Sequence, residues 1–328
     1  MAKKRILSGM RPTGRLHLGH LFGAIKNWAA LQDEYECFFF VADWHALSTR
    51  YMHTENIKQD IFEVVTDYIS GGVDPDRCTF YIQSHVPEIA ELELLLSMIV
   101  PVSWVERCPT YKDQVNELGP DVATYGFLGY PVLMSTDILC VKGDLVPVGR
   151  DQIPHLEITR EIVRRFNRLY GEVFPEPHPK LTEFALVPGT DGRKMSKSYN
   201  NSILMSDDLD TIWKKLKKTV TDPEKIYKGD PGHPDICNVF YYHKLFNSQE
   251  RLAEIESTCK SGELGCADCK KELLECMKVK MQPIWDKRKQ LEENPQIVKD
   301  LLDKGSESAR VIIKKTLSEV KKAMKLNY

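Results

Sequence analysis

Residues 5–20, RILSGMRPTGRLHLGH, decide the fold of this 328-residue chain. Residues 5–9 (RILSG), with Ile6 and Leu7 at their centre and a glycine at their end, predict a strand. A glycine-containing loop then leads to residues 17–20 (HLGH), which open a helix predicted over 18–32 by its apolar spacing. A strand that turns through glycines into a helix brings backbone N–H groups to a helix N-terminus, where phosphates bind.

Apolar runs alternate with helical patterns along the first half of the chain. Residues 37–42 (CFFFVA) are continuously apolar, as in a strand buried on both faces. Strands are also predicted over 79–82 and 145–148, and helices over 55–69 and 154–169. This order predicts a doubly wound, Rossmann-like α/β domain whose ligands lie beyond the C-terminal strand ends. From residue 206 onward strand signals fade, which predicts a second, smaller, all-helical domain.

Composition excludes some classes of protein. Hydrophobic residues make up 42% of the chain, and no run approaches the roughly 20 apolar residues of a membrane span. The start, MAKKRIL, leads into a strand and not a signal peptide, so we expect a cytoplasmic protein with no membrane association. The net charge is −2, so nucleic-acid binding requires local patches such as the lysines of 214–218 or the basic residues of 310–325. Solvated helix faces are the alternative for both runs.

A second motif, DGRKMSKS at residues 191–198, follows roughly half a chain later. Its polar, glycine-containing composition predicts a mobile loop, on which Lys194 and Lys197 suit the β- and γ-phosphates of ATP. In the first motif, His17 and His20 share a helix face and can stabilise charge that develops on a phosphorus atom. The structural alternatives are a His pair packed at a helix start and an exposed basic loop. Small-molecule nucleotidyltransferases also use the first motif for catalysis. Together the motifs predict an enzyme that transfers an acid onto the α-phosphate of ATP.

With these motifs the chain resembles, nearly end to end, the class I aminoacyl-tRNA synthetases of the tryptophanyl and tyrosyl subgroup. Residues 130–139 (YPVLMSTDIL) and 146–152 (VPVGRDQ) resemble the bacterial tryptophanyl branch more closely. The resemblance implies that L-tryptophan and ATP form tryptophanyl-adenylate and pyrophosphate, and that the 3′ adenosine of tRNA(Trp) then accepts the tryptophan. Mg²⁺ is expected to accompany ATP, with no dedicated protein site readable in the sequence.

The resemblance also implies which residues handle the nucleotide. The expected catalytic residues are His17, His20, Lys112, Lys194 and Lys197. Many relatives carry a second lysine two residues after the position of Lys112. This chain has Gln114 there and so departs from that pattern. The expected ATP-binding residues are Arg11, Pro12, Thr13, Gly19, His20, Gly149, Arg150, Asp151, Val187, Lys194, Met195, Ser196, Lys197 and Ser198.

The expected tryptophan site centres on Asp137, which by resemblance accepts the indole N–H. Indole has one N–H donor and no acceptor, so one buried carboxylate among apolar walls satisfies it and leaves a phenol poorly placed. The tyrosyl branch usually has Gln where this chain has Met134. From the residues alone, a helix cap or an ion-pair residue is the alternative for Asp137. The expected tryptophan-binding residues are Leu7, Gly9, His45, Tyr130, Met134, Asp137, Val146, Val148 and Gln152.

Nine cysteines without a signal peptide argue against a disulfide framework. Cys237, Cys259, Cys266 and Cys269 lie in the helical half, and four thiolates suit either an iron–sulfur cluster or tetrahedral zinc. Free thiols are the third alternative. Some bacterial tryptophanyl enzymes with a similar pattern carry a [4Fe–4S] cluster in the anticodon-binding domain, so the resemblance favours the cluster over Zn²⁺, in a structural role.

The expected domains are a Rossmann-like catalytic domain over 1–195 and a helical anticodon-binding domain over 196–295. The C-terminal helix, within 306–328, is expected to pack near the first domain. By resemblance the chain forms a homodimer, and apolar residues 92–104 are either an interface or an ordinary core helix. Three rival functions remain: a tyrosyl enzyme, disfavoured by the pocket residues; a small-molecule nucleotidyltransferase, which would not need the second motif; and a non-catalytic RNA-binding relative, whose motifs would usually be eroded.

Overall fold

The computed structural model of the protein describes residues 3–149, 153–181, 186–227 and 229–327. The strands are β1 (Arg5–Met10), β2 (Glu36–Val41), β3 (Cys78–Ile82), β4 (Leu145–Val148) and β5 (His178–Leu181). They form one parallel sheet in the order β3-β2-β1-β4-β5. Because the chain winds outward from β1 in both directions, the doubly wound fold class is confirmed.

The central strands are apolar enough to be covered on both faces. β2 pairs with β1 from Arg5↔Glu36 to Met10↔Val41, and all but its first residue are buried. Its side chains alternate between two hydrophobic cores, with Phe39 on one face and Phe38 and Phe40 on the other. The sequence did not predict β5, because the short polar segment HPKL is partly exposed and joins the sheet through β4.

Helices cover both faces of this sheet. Up to residue 170 they are α1 (Leu18–His20), α2 (Lys26–Leu31), α3 (Asp43–Arg50), α4 (Ile57–Ser70), α5 (Glu88–Ser97), α6 (Val102–Glu106), α7 (Pro109–Leu118), α8 (Tyr125–Leu128), α9 (Tyr130–Cys140) and α10 (Ile153–Tyr170). The helices predicted over 55–69 and 154–169 are confirmed as α4 and α10. The one predicted over 18–32 is helical but divided, because a π-helical segment, Leu21–Ile25, separates α1 from α2.

After residue 206 the described part of the chain contains helices and no strand. These helices are α11 (Leu209–Lys218), α12 (Asn238–Phe246), α13 (Gln249–Lys260), α14 (Cys266–Glu293) and α15 (Pro295–Ala323). α14 packs against α4, α11 and α12, and so joins the helical part to the sheet layer. Among the described helices, none is both long and apolar enough to cross a bilayer.

The last helix lies along the outer edge of β3. Ser306 Oγ accepts a hydrogen bond from the backbone N–H of Ile82 at 3.4 Å. A Cβ at Gly305 would lie 1.7 Å from the carbonyl oxygen of Phe80, so only glycine allows this approach. The helix begins at Pro295, earlier than the expected residue 306, because proline is well tolerated in a first helical turn.

Candidate active site

A cavity of about 450 Å³ opens beyond the C-terminal ends of β1, β2 and β4. This is where parallel sheets of this kind bind ligands, and the volume suits a small molecule. Gln152, one of the predicted tryptophan-binding residues, lies outside the described residues. The other eight all line the cavity: Leu7, Gly9, His45, Tyr130, Met134, Asp137, Val146 and Val148.

Asp137 of α9 is the buried carboxylate of this cavity. It is 1% exposed, and its two oxygens accept hydrogen bonds from His45 Nε2 at 2.8 Å and Gln83 Nε2 at 2.7 Å. Burial raises the pKa of Asp137, and the hydrogen bond from His45 opposes that rise. Gln83 was missed by the sequence reasoning, although its place directly after β3, at the ligand-binding end of the sheet, was a usable signal.

Gly9 shapes the wall of the cavity on β1. A Cβ at this position would lie 2.5 Å from the ring of Phe40 on the neighbouring strand. The same Cβ would lie 2.7 Å from the backbone carbonyl oxygen of Phe40, which cannot move aside without displacing the paired strand. Position 9 therefore requires glycine if the strands are to keep this spacing.

A second polar group lines the cavity beside α9. Tyr130 Oη lies 3.0 Å from His155 Nε2, and Cys108 Sγ lies 3.3 Å from His155 Nδ1. Cys108 also precedes α7, the helix that carries Lys112. Neither His155 nor Cys108 was predicted, since nothing in their local sequence distinguishes them from core residues.

The two histidines of the first motif lie together at the start of α1. His17 is 7% exposed, its ring centroid is 3.9 Å from that of His20, and its backbone N–H donates to His20 Nδ1 at 3.3 Å. A Cβ at Gly19 would lie 2.8 Å from the His17 ring. Burial, then Lys197 and Lys194, lower the pKa of His17 to about 4, and burial lowers that of His20 as well. Both imidazoles are therefore neutral near pH 7 and able to donate an N–H.

Lys197 joins the second motif to the first. Its ammonium donates to the carbonyl oxygens of Thr13 at 2.5 Å and Arg15 at 3.0 Å. Burial lowers the pKa of Lys197. Two further predicted ATP-binding residues, Val187 and Met195 of the second motif, have buried side chains. The Met195 N–H donates to the Val187 carbonyl at 3.1 Å. The structure thus brings the two motifs, which are remote in sequence, into one site.

Asn201 braces the second motif and was not predicted. Its Oδ1 accepts from the backbone N–H of Ser196 at 2.8 Å, and its Nδ2 donates to Asp191 Oδ1 at 2.7 Å and to the Lys194 carbonyl at 3.1 Å. The side chains of Lys194 and Ser198 are exposed. The loop therefore has a fixed base and a solvent-facing surface, which is suitable for a polyphosphate.

The loop before α1 is held by the end of α3. Arg11 donates to Thr49 Oγ1, and the Pro12 carbonyl accepts from Arg50 Nη1 at 3.3 Å. Arg11 and Pro12 are predicted ATP-binding residues, as is the adjacent Thr13, which is exposed. The backbone of this loop is therefore positioned by a neighbouring helix.

The remaining predicted nucleotide residues are placed less closely or not described. Gly149 lines the cavity. Arg150 and Asp151 lie outside the described residues. Lys112 is exposed on α7 and is not among the described residues that line the cavity.

The four predicted metal-ligating cysteines come from three helices. Cys237 is the N-cap of α12, Cys259 lies in the last turn of α13, and Cys266 and Cys269 lie in the first turn of α14. Burial, and after it the other three thiols, raise the pKa of Cys269 to about 12, so the four face one region. Within the described residues, no group of three or more His, Cys, Asp or Glu side chains has an arrangement that could hold a metal ion. The donor chemistry thus suits a metal, whereas the described geometry does not gather the thiols as ligands.

The arrangement combines two chemical environments. An apolar cavity with one buried carboxylate accepts a flat apolar ring that bears a single donor. Beside it, neutral imidazoles and lysines provide donors for an anion with several charges. A small ring compound and a polyphosphate therefore fit side by side.

The chain is similar to known proteins over nearly its whole length. The family of class I tRNA synthetases (W and Y) matches residues 2–279. The tryptophan–tRNA ligase of Thermotoga maritima is 48% identical, over 99% of this chain and 100% of that protein, and that of Aquifex aeolicus is 45% identical, over 98% and 100%. A crystal structure of tryptophanyl-tRNA synthetase from Campylobacter jejuni, complexed with ADP and tryptophan, superposes with a TM-score of 0.90 at 36% identity, over 98% of this chain and 99% of that one.

Proposed function

The chain belongs to the class I tRNA synthetases (W and Y), and on this premise we propose how its residues carry out tryptophan–tRNA ligation. The enzyme activates L-tryptophan with ATP to tryptophanyl-adenylate and pyrophosphate, and then transfers tryptophan to the 3′ adenosine of tRNA(Trp). Its own groups act by positioning the reactants and by neutralising charge.

We assign recognition of the indole N–H to Asp137. The burial of this carboxylate in the cavity is the observation on which the choice of tryptophan rests. Its buried carboxylate is oriented by His45 and Gln83 and lines an otherwise largely apolar wall. Each carboxylate oxygen has a further lone pair with which to accept the indole N–H. Met134, on the same helix, offers a tyrosine hydroxyl no strong hydrogen-bond partner, so the cavity favours indole over phenol.

For the first step we assign the nucleotide to the edge formed by the two motifs. The tryptophan carboxylate oxygen bonds to the α-phosphorus while the bond from that phosphorus to the bridging oxygen of pyrophosphate breaks. His17 and His20 donate to the α-phosphate as its charge grows, and Lys194 and Lys197 neutralise the departing pyrophosphate. Mg²⁺ accompanies the ATP and supplies further charge neutralisation.

For the second step we assign tRNA contact to the basic face of α11. Lys214, Lys217 and Lys218 are exposed there. The other basic run, 310–325, is partly used inside the protein, since Arg310 pairs with Glu88 at 2.8 Å across to α5. On α11 the three exposed lysines lie within five positions of one another, so a phosphate backbone finds concentrated positive charge there.

We propose the domain division that the sequence suggested. The catalytic domain is residues 1–195, the anticodon-binding domain is 196–295, and the C-terminal segment 306–328 packs with the first. The position of α15 beside β3 and α5 supports the last assignment.

We also propose that Cys237, Cys259, Cys266 and Cys269 hold a metal centre, a [4Fe–4S] cluster or, alternatively, Zn²⁺. Support comes from the thiolate donor set and from the neighbouring thiols, which after burial raise the pKa values of Cys237, Cys259 and Cys269. Such a centre would tie together the starts of α12 and α14 and the end of α13.

Anaerobic purification followed by iron, sulfide and zinc quantification tests the metal centre. Iron and sulfide in equal amounts support the cluster, and stoichiometric zinc supports the alternative. Whichever metal is found should be lost in Cys266→Ser. It should be kept in Cys276→Ser, because Cys276 hydrogen-bonds to Asn247 instead. Protein with neither metal would overturn the assignment.

For the homodimer we propose an interface on the exposed side of residues 92–104. Leu92 and Leu96 of α5 are buried, whereas Leu94, Met98 and Val102 are 53%, 70% and 60% exposed. The stretch is therefore core on one face and an apolar patch on the other. A dimer by sedimentation velocity, weakened in Met98→Lys, is the expected result.

ATP–pyrophosphate exchange with tryptophan and tyrosine compared side by side tests the function. We expect exchange with tryptophan alone, and a loss on the order of a hundredfold in kcat/KM for tryptophan in Asp137→Asn, since a hydrogen bond to a charged group contributes about 1.5–3 kcal/mol. Asp144→Asn is the matched control, because its carboxylate accepts from the backbone of Arg5 away from the cavity. Exchange with tyrosine would refute the pocket assignment, and no exchange with either amino acid would refute the activity.

A further inference from the structure

A buried arginine of the helical part carries charge into the catalytic layer. Arg288 of α14 is 3% exposed, and its guanidinium pairs with Glu63 and Asp67 of α4. Its Nε also lies 3.0 Å from Glu292 of the same helix. A charge this deeply buried is retained only with such partners.

The same two carboxylates hold the loop of the first motif. Asp67 Oδ2 accepts from the backbone N–H of Leu16 at 2.6 Å, and Glu63 Oε2 accepts from Arg15 Nε at 3.2 Å. Leu16 directly precedes His17. Each carboxylate thus has Arg288 on one side and the motif on the other.

We propose that Arg288 is a positioning residue for the nucleotide site. By fixing Asp67 it sets the backbone at Leu16, and by fixing Glu63 it holds the side chain of Arg15; through these contacts it positions the imidazoles that follow. The same stretch also positions Lys197, because the Lys197 ammonium donates to the Arg15 carbonyl. This inference rests on the assignment of ATP to the two motifs, and it makes a residue of the helical part responsible for part of ATP handling.

Two features separate this connection from ordinary packing between layers. The chain leaves β1 at Met10 and enters α1 at Leu18, so the intervening loop needs external support. Besides Arg50 at Pro12 and the Met205 N–H at the Leu16 carbonyl, the carboxylate of Asp67 supports the loop at a backbone N–H, which fixes the path of the chain and not merely a side chain. A small displacement at that point moves groups that face the reacting phosphorus, and a misplacement of about 1 Å can cost on the order of a hundredfold in rate.

The test compares Arg288→Gln with Arg310→Gln in the full chain. Arg310 also pairs a C-terminal helix with a carboxylate of the catalytic layer, but Glu88 has no contact with the motif loop among the described residues. ATP–pyrophosphate exchange is measured against ATP concentration, and tryptophan binding is measured separately by equilibrium dialysis. We expect Arg288→Gln to lower kcat/KM for ATP by roughly tenfold to a hundredfold while the Kd for tryptophan stays within about twofold. Arg288→Lys should recover part of the loss.

Hydrogen–deuterium exchange of residues 11–20 without ATP separates this inference from the proposed function. Faster exchange of that segment in Arg288→Gln, and not in Arg310→Gln, supports the positioning role even if wild-type protein shows no ATP–pyrophosphate exchange. If Arg288→Gln does not fold, Asp67→Asn gives the same comparison, since it weakens the ion pair while leaving an acceptor for Leu16. Unchanged exchange of the segment, equal ATP kinetics in the two arginine variants, or a parallel loss of tryptophan binding would overturn the inference.

Discussion

The cavity that we assign to tryptophan and the neighbouring edge that we assign to the phosphates are built in opposite ways. In the cavity, the carboxyl group of Asp137 is buried and held by hydrogen bonds from two protein side chains, His45 and Gln83. At the edge, the ammonium of Lys197 rests on neutral carbonyls of Thr13 and Arg15, which phosphate oxygens can replace at little cost. Selection is thus assigned to the rigid region, and charge neutralisation to the adaptable one.

The largest effect should come from breaking the adaptable region. In Lys197→Ala we expect kcat for ATP–pyrophosphate exchange to fall on the order of a hundredfold to a thousandfold, as for loss of one donor to developing charge. The Kd for tryptophan should not change, because the cavity is intact. Lys299→Ala, an exposed lysine of α15, is the control. A matching loss of tryptophan affinity would contradict the separation of the two regions.

The next test places a polar group in the rigid region. Met134→Gln introduces an amide into a largely apolar wall, and burial of an incompletely bonded amide costs about 1–3 kcal/mol. We expect kcat/KM for tryptophan to fall roughly tenfold, with no gain of tyrosine activation because Asp137 remains. Exchange kinetics with both amino acids provide the measurement. Tyrosine activation by this single variant would mean that Met134, and not Asp137, is the main selector.

A smaller effect is expected where the helical part supports the adaptable region. Tyr242 of α12 is fully buried, and its hydroxyl donates to the Pro188 carbonyl at 2.8 Å, just before the second motif. Tyr242→Phe should raise the KM for ATP about threefold to tenfold, since one hydrogen bond contributes roughly 1 kcal/mol and the carbonyl is left without this donor. Tyr170→Phe on α10 serves as the control. An unchanged KM would show that the base of the loop is held without this bond.

Near neutral pH the smallest effect concerns protonation of His17, which changes the free energy of unfolding only below about pH 6.5. Because its folded pKa is about 4 and its ordinary value is about 6.5, the unfolded chain takes up this proton first as pH falls. The free energy of unfolding should therefore be insensitive to this group above about pH 6.5 and should decline from there toward about pH 4. Urea unfolding of wild type and His17→Gln across this range gives the measurement, with a smaller decline expected in the variant. A folded pKa near 6.5 by NMR would contradict the burial argument.

The sequence predicted the features that local pattern controls. Apolar runs such as residues 37–42 identified the central strands, and their C-terminal ends located the cavity. The eight described tryptophan-site residues line one cavity, and Lys197 reaches the first motif. The roles assigned to these residues remain predictions until the kinetic tests are made.

The remainder depends on contacts between distant segments. Gln83, Asn201 and Arg288 acquire their partners only when separate elements pack, so neither spacing nor periodicity identifies them. The π-helical segment after α1 is likewise invisible to a pattern that tests only helical spacing. β5 is a polar strand recruited through its backbone, and side-chain pattern cannot detect it.

The close approach at Gly305 also affects how the molecule behaves toward its own copies. β3 is the outer strand of the sheet, and an outer strand offers unpaired backbone groups to any other extended chain. α15 lies against that strand closely enough to occupy the space a foreign strand would need. The absence of a side chain at Gly305 therefore lets α15 cover this strand edge. A bulkier residue there would move the helix away and leave Cys78–Ile82 open to edge-to-edge aggregation.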